Sequence, residues 1–238
     1  MNIKIQSLPR AMIIAQPKAS STSLMSTLGR MTSLSFGQQM LPLMSSAELK
    51  LHRLLDLLIR KSCGWSLNPT ASHARSFREK YPALEYPALS LAHSDMCDFG
   101  MASKNDIISL SYDLHKQHFP PTETNTKIFS HIPLIFITRD IEETISSYQR
   151  VPGYSRFKEL CNNGAFRVQL HSDLRKFQNG WLRESEKREI LLVKQSDLIA
   201  YPSETLKRCI TYLGFDHTDI TDWSLNKDRV HKHEIKNI

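Results

Sequence analysis

The chain has 238 residues, of which 40% are hydrophobic and 23% charged, with a formal charge of +7. This is enough apolar sequence to close one sizeable core and too much for a disordered chain, and nothing in it calls for a second domain, so residues 1–238 read as a single domain. The basic excess favours anionic ligands in general, from nucleotides and sulfated sugars to nucleic acid and anionic lipid, and equally serves solubility alone.

No apolar run approaches the roughly 18 residues needed to span a bilayer, and the apolar stretch near the N-terminus is too short for a signal-peptide core. Cys63, Cys97, Cys161 and Cys209 stand far apart without Cys-x-x-Cys spacing, so neither a zinc site nor a compact disulfide framework is indicated. A reducing, cytoplasmic location is the expectation.

In chain order, Ala-Met-Ile-Ile-Ala at 11–15 is a short continuous apolar run, as in a strand buried on both faces of a parallel sheet. The apolar positions Leu51, Leu54, Leu55, Leu58 and Ile59 recur at helical spacing behind a capping box of Ser45 and Glu48. Residues 88–92, 133–138 and 190–193 read as further buried strands. The proline-punctuated stretches 61–87 and 101–133 read as loops and short helices lying over the sheet, either covering a ligand crevice at the strand ends or forming irregular surface excursions. A helix follows Pro202, with Leu206, Cys209, Ile210 and Leu213 on one face and Gly214 placed to end it. Strands alternating with helices predict an α/β fold with three layers (α/β/α), a central, mainly parallel sheet and a phosphate-binding loop after the first strand.

That loop is Pro17-Lys18-Ala19-Ser20-Ser21-Thr22-Ser23-Leu24, small hydroxylated residues running into a helix. The first N–H groups of a helix lack intrahelical partners and carry positive partial charge, so an anion docks there readily. Hydroxyls of Ser20, Ser21, Thr22 and Ser23 can donate to it, and Lys18 supplies a full charge. The same turn would also serve merely to cap a helix. An ATP- or GTP-binding loop places glycines around the phosphates and lysine late; here lysine comes first and glycine is absent, which argues against such a site.

The segment resembles the 5′-phosphosulfate loop of sulfotransferases, commonly written PKxGT/STx. Lys18 matches the loop lysine, Ser21 and Thr22 the hydroxyl pair, and Ser20 stands where glycine is usual, a departure that matters if the position needs positive φ. A second element fits the same family. Arg139 ends the apolar run 133–138, Asp140 and Glu143 are spaced as a cap pair for a helix over 141–149, and Ser147 follows Arg139 by eight positions. This resembles the family's 3′-phosphate element of a strand-end arginine and a helical serine. Residues 181–197 resemble its tryptophan-containing helix, buried strand and acidic turn, and Pro202 onward its closing helix. Arg229 or Lys232 would be late additions to the 3′-phosphate site, without a clean motif.

The resemblance implies a sulfuryl transfer from 3′-phosphoadenosine-5′-phosphosulfate (PAPS) to a hydroxyl or amine of a small-molecule or carbohydrate acceptor, with no metal, no nucleic-acid partner and no transmembrane segment. It makes Lys18, Ala19, Ser20, Ser21, Thr22, Ser23, Arg139 and Ser147 donor-binding and Lys18 also catalytic. It makes His93 the general base, at the end of the 88–92 strand, where cytosolic members carry Lys-Thr-His. Here the triplet is Leu91-Ala92-His93, so the assisting lysine is missing. His131 is the second choice, and some members of the family use a glutamate instead. The alternatives are a nucleotide-dependent kinase and a non-catalytic module binding a polyanion or nucleotide, the latter in keeping with the basic amphipathic stretch 50–61.

Overall fold

The computed structural model describes residues 4–37, 85–86, 88–89, 107–110, 112–150, 162–218 and 220–225. Five parallel strands form the main sheet. In chain order these and the flanking elements are β1 (Lys4–Ser7), β2 (Ala11–Ala15), α1 (Ser21–Thr32), β3 (Phe36–Gly37), β4 (Ile107–Ser109), β5 (Leu114–Gln117), α2 (Glu123–Ile128), β6 (Leu134–Thr138), α3 (Ile141–Arg150), α4 (Gly164–Ser185), β7 (Leu191–Lys194), α5 (Gln195–Ala200) and α6 (Pro202–Tyr212). The sheet order is β3-β5-β2-β6-β7, and β1 and β4 form a separate parallel pair.

β2 and β6 are buried on both faces, as continuous apolar runs in a parallel sheet should be. Ala11, Ile13 and Ala15 pack with Leu24, Met25 and Leu28 of α1 and Leu206, Cys209 and Ile210 of α6. Met12, Ile14 and Phe136 face the other way, onto Ile145 and Tyr148 of α3 and Leu170, Leu174, Phe177 and Trp181 of α4. The strand period of two thus divides one apolar sequence between two helical layers, giving the three-layer α/β/α arrangement. α6 ends as its sequence predicts: Gly214, at φ +79°, donates to Thr211 O at 3.0 Å, and Phe215 N to Ile210 O at 3.1 Å, a Schellman closure. No helix among the described residues is long and apolar enough to cross a membrane.

Four expectations need correction. β5 lies inside the sheet, between β3 and β2, where loops and short helices were expected over 101–133. Its sequence, Leu-His-Lys-Gln, has one apolar residue, yet all four positions are buried; the pairing with β2 overrides what composition alone suggests. Ala88 and Leu89 are helical rather than the start of a strand. β7 is an edge strand with Leu192 and Lys194 exposed, so it is half-buried instead of buried on both faces. Asp197 lies within α5 instead of an acidic turn. The helical pattern 51–59 with Ser45 and Glu48, and Arg229 and Lys232, lie outside the described residues.

Ala88 and Leu89 are fastened to α4 by a buried carboxylate. Ala88 N and Leu89 N donate to Asp173 Oδ2 at 2.8 and 3.0 Å, and Gln169 Nε2 donates to Oδ1 at 2.7 Å. Asp173 is 2% exposed. Burial pushes its carboxyl up to about 6 from 3.8, against the opposing pull of Leu89 N–H, Gln169, Ala88 N–H and the Lys176 ammonium. A folded-state value above the unfolded one means that Asp173's contribution to stability is complete below about pH 4 and is lost as pH rises through about 6. Asp173→Asn should remove this dependence, so that between pH 4 and 7 the variant gains up to about 3 kcal/mol relative to wild type. Urea unfolding of both proteins across that range measures the difference, and parallel profiles would refute it.

Candidate active site

Because the five strands are parallel, their carboxyl ends lie along one edge of the sheet. β2 is flanked by β5 and β6, and the chain leaves toward β3 on one side and toward β7 on the other, so a topological switch point falls at the end of β2. The turn Gln16–Ser20 and the start of α1 occupy it. His118 at the end of β5, Arg139 at the end of β6 and Gln195 after β7 arrive at the same edge.

The turn is held in an uncommon conformation. Lys18 and Ser20 both have positive φ, 64° and 61°, although neither is glycine. Ser20 is the N-cap of α1 but makes no capping bond with its side chain. Its hydroxyl instead accepts from Gln195 Nε2 at 2.8 Å, so the first-turn N–H groups receive no cap from it. Ala19 and Ser21 are buried, Thr22 is half-buried, and Ser23 is buried, with no partner for its Oγ among the described residues. The Lys18 ammonium sits 5.4 Å from the centre of the Tyr148 ring on α3.

Arg139 reaches this turn from β6. Its Nη1 donates to Lys18 O at 2.9 Å, and its Nε pairs with Glu143 Oε2 at 3.2 Å. Glu143 N donates to Asp140 Oδ1 at 2.9 Å, so Asp140 caps α3 as its spacing indicates. Ser147 is half-buried on α3, one turn beyond Glu143. Thr138, Arg139, Asp140, Glu143, Gln178 and the β7–α5 junction 194–196 enclose a cavity of about 280 Å³ beside the turn.

The strand ends are locked together by Gln16, which is fully buried. Its Nε2 donates to Thr144 Oγ1 at 2.8 Å, and its Oε1 accepts from Arg139 N at 3.0 Å and from Gln178 Nε2. Gln178 Nε2 also reaches Arg139 O at 2.8 Å.

The chain resembles a solved sulfotransferase in shape. That protein, from Alicyclobacillus acidocaldarius, superimposes with a TM-score of 0.54 at 12% identity, over 92% of this chain and 86% of the other. A shikimate kinase from Aquifex aeolicus vf5 matches at a TM-score of 0.39 and 15% identity, over 89% of this chain and 96% of that one, too slight a likeness to argue from. No family model matches the sequence, and no curated protein matches it significantly.

The structure therefore brings the loop residues and Arg139 together, with Ser147 on the adjoining helix. His93 lies outside the described residues. His131 is exposed in the turn before β6, at the opposite end of that strand from Arg139. His118, which sequence reading did not single out, also stands at the carboxyl edge of the sheet. It is 2% exposed, and its Nδ1 lies 2.6 Å from Ala15 O, the last residue of β2. A carbonyl can only accept, so Nδ1 carries a hydrogen.

The loop that holds His118 is anchored from α4 and α2. Trp181 Nε1 donates to Phe119 O and Asn125 Nδ2 to Pro120 O, both at 2.9 Å. Gly180 lets Pro121 approach so closely that an added Cβ would lie 2.3 Å from Pro121 Cγ. Lys116-Gln117-His118 has a lysine two places before its histidine, the spacing that Leu91-Ala92-His93 lacks. Among the described residues, no group of three or more His, Cys, Asp or Glu side chains is placed to hold a metal ion.

Gln178→Ala removes the amide that ties Gln16 to the Arg139 carbonyl. Losing bonds to part-buried acceptors should lower unfolding free energy by about 1–3 kcal/mol. Urea denaturation tests this; a change within error would mean that Gln178 does not hold the strand ends.

Proposed function

We propose that this chain is a sulfotransferase using PAPS as donor. The observation that carries the reading is the contact between two elements 121 residues apart, Arg139 Nη1 on Lys18 O, at the switch point of the sheet. It supports one crevice with two cationic elements, suited to a nucleotide with an anionic group toward each end. The first-turn N–H groups of α1, Lys18 and the hydroxyls of Ser21 and Thr22 would take the phosphosulfate, joined by Ala19, Ser20 and Ser23 as loop backbone. Arg139 and Ser147 would take the 3′-phosphate. The Glu143 carboxylate that pairs with Arg139 is 62% exposed, so a phosphate meets only a weak, solvent-screened competitor there.

PAPS would supply the sulfuryl group; what the chain adds is position and charge. Lys18, half-buried at the loop, presents an ammonium to the place where negative charge develops as the group departs, and a preorganised donor of this kind typically contributes about 3 kcal/mol. The acceptor hydroxyl or amine must lose a proton. In this reading His118, at the end of β5, is the base, its ring oriented by the hydrogen bond between Nδ1 and Ala15 O. His93 remains the competing assignment from sequence. The acceptor is a small molecule or carbohydrate in this reading.

The test needs no knowledge of the acceptor. Calorimetric titration with adenosine 3′,5′-bisphosphate, 5′-AMP and ATP should show preference for the bisphosphate, and Arg139→Ala should weaken the bisphosphate more than 5′-AMP. Equal binding of all three would reject the reading, and ATP preference would favour the kinase alternative. Once an acceptor is found, His118→Ala should lower turnover by about 10²-fold or more with bisphosphate affinity little changed, while His93→Ala should not. The reverse pattern would return the base to His93.

A further inference from the structure

Ser20 occupies a backbone position that L-residues avoid, and it does so without the local hydrogen bond that usually makes serine useful at a helix start. Its hydroxyl is turned across the sheet edge to Gln195, the first residue of α5. Gln195 is 6% exposed, so its amide is a buried polar group, and Ser20 Oγ takes its hydrogen bond. It also walls the cavity beside the turn, together with Lys194 and Ser196. The two residues are 175 positions apart, so local sequence does not set this contact.

We propose that Gln195 is a positioning residue for the anion loop: its amide holds Ser20 Oγ and keeps the left-handed turn in which a serine replaces the glycine such a turn would otherwise require. The consequence is twofold. The first-turn N–H groups of α1 are kept in one arrangement before any ligand arrives, which reduces the ordering that binding must impose. And the loop is tied to the β7–α5 junction, so a ligand filling the cavity at 194–196 acts on the same residue that sets the loop. The functional part of this inference rests on the anion-loop reading above; the conformational part does not.

The experiment is a double-mutant cycle with Gln195→Met, which keeps the volume and removes the amide, and Ser20→Gly, which removes both the hydroxyl and the strain. Two readouts separate the parts: calorimetric affinity for adenosine 3′,5′-bisphosphate, and amide hydrogen exchange of residues 19–23. Gln195→Met alone should weaken the bisphosphate by about five- to tenfold and speed exchange in the loop. Added to Ser20→Gly, the same change should alter either readout less than about twofold, because glycine needs no latch. An equal loss in both backgrounds, or no loss in either, overturns the proposal. If wild type fails to bind the bisphosphate, the sulfotransferase reading falls, and the exchange data alone decide the latch: faster exchange in Gln195→Met that is absent in the Ser20→Gly background supports it, and unchanged exchange rejects it.

Discussion

Gln16 is the first residue after the central strand, and its position there is fully buried. An amide inside a protein is costly unless its donors and acceptor find partners, and Gln16 finds them on other elements: Thr144 on α3, the backbone of Arg139 after β6, and Gln178 on α4. Its own backbone N–H goes to Ile137 O at 2.9 Å. The turn that follows β2 can therefore adopt only positions compatible with three other elements. Arg139 arrives at that turn because its backbone is fixed by the same amide, and the contact between its guanidinium and Lys18 O follows.

Around that constraint the loop carries strain. Left-handed residues other than glycine cost roughly 1–2 kcal/mol each, and two stand within three positions, Lys18 and Ser20. Each is held from a different strand end, Lys18 O by Arg139 and Ser20 Oγ by Gln195. Strain maintained by surrounding structure at a strand-end turn is a common feature of sites that must be organised in advance. His118 extends the same logic to the other side of β2, where its ring is tied to Ala15 O and its loop is pinned by Trp181 and Asn125.

The parts legible in the sequence were those whose signal is local. β2 and β6 announce themselves as continuous apolar runs, Asp140 caps α3 at the spacing a cap requires, and Gly214 closes α6. The loop and Arg139 could be singled out because a strand followed by small hydroxylated residues, or ending in arginine, is a short pattern. β5 was illegible for the converse reason. A strand of Leu114, His115, Lys116 and Gln117 carries the composition of a surface segment, and burial on both faces comes only from its place between β3 and β2. Burial there lowers the His115 imidazole to about 4, with the nearby Lys116 charge adding to the effect.

Sequence alone thus determined the layer architecture, the hydroxyl-rich turn after β2 and the strand-end arginine, since hydrophobic period, capping and turn chemistry act over a few residues. Tertiary structure decided that His118 stands at the strand edge beside that loop and that Ser20 Oγ meets Gln195 there. Both outcomes depend on partners more than a hundred residues away, Ala15 for His118 and Gln195 for Ser20. Hydrogen bonds between such distant groups form only once parallel pairing has aligned the strand ends, so no local pattern encodes them.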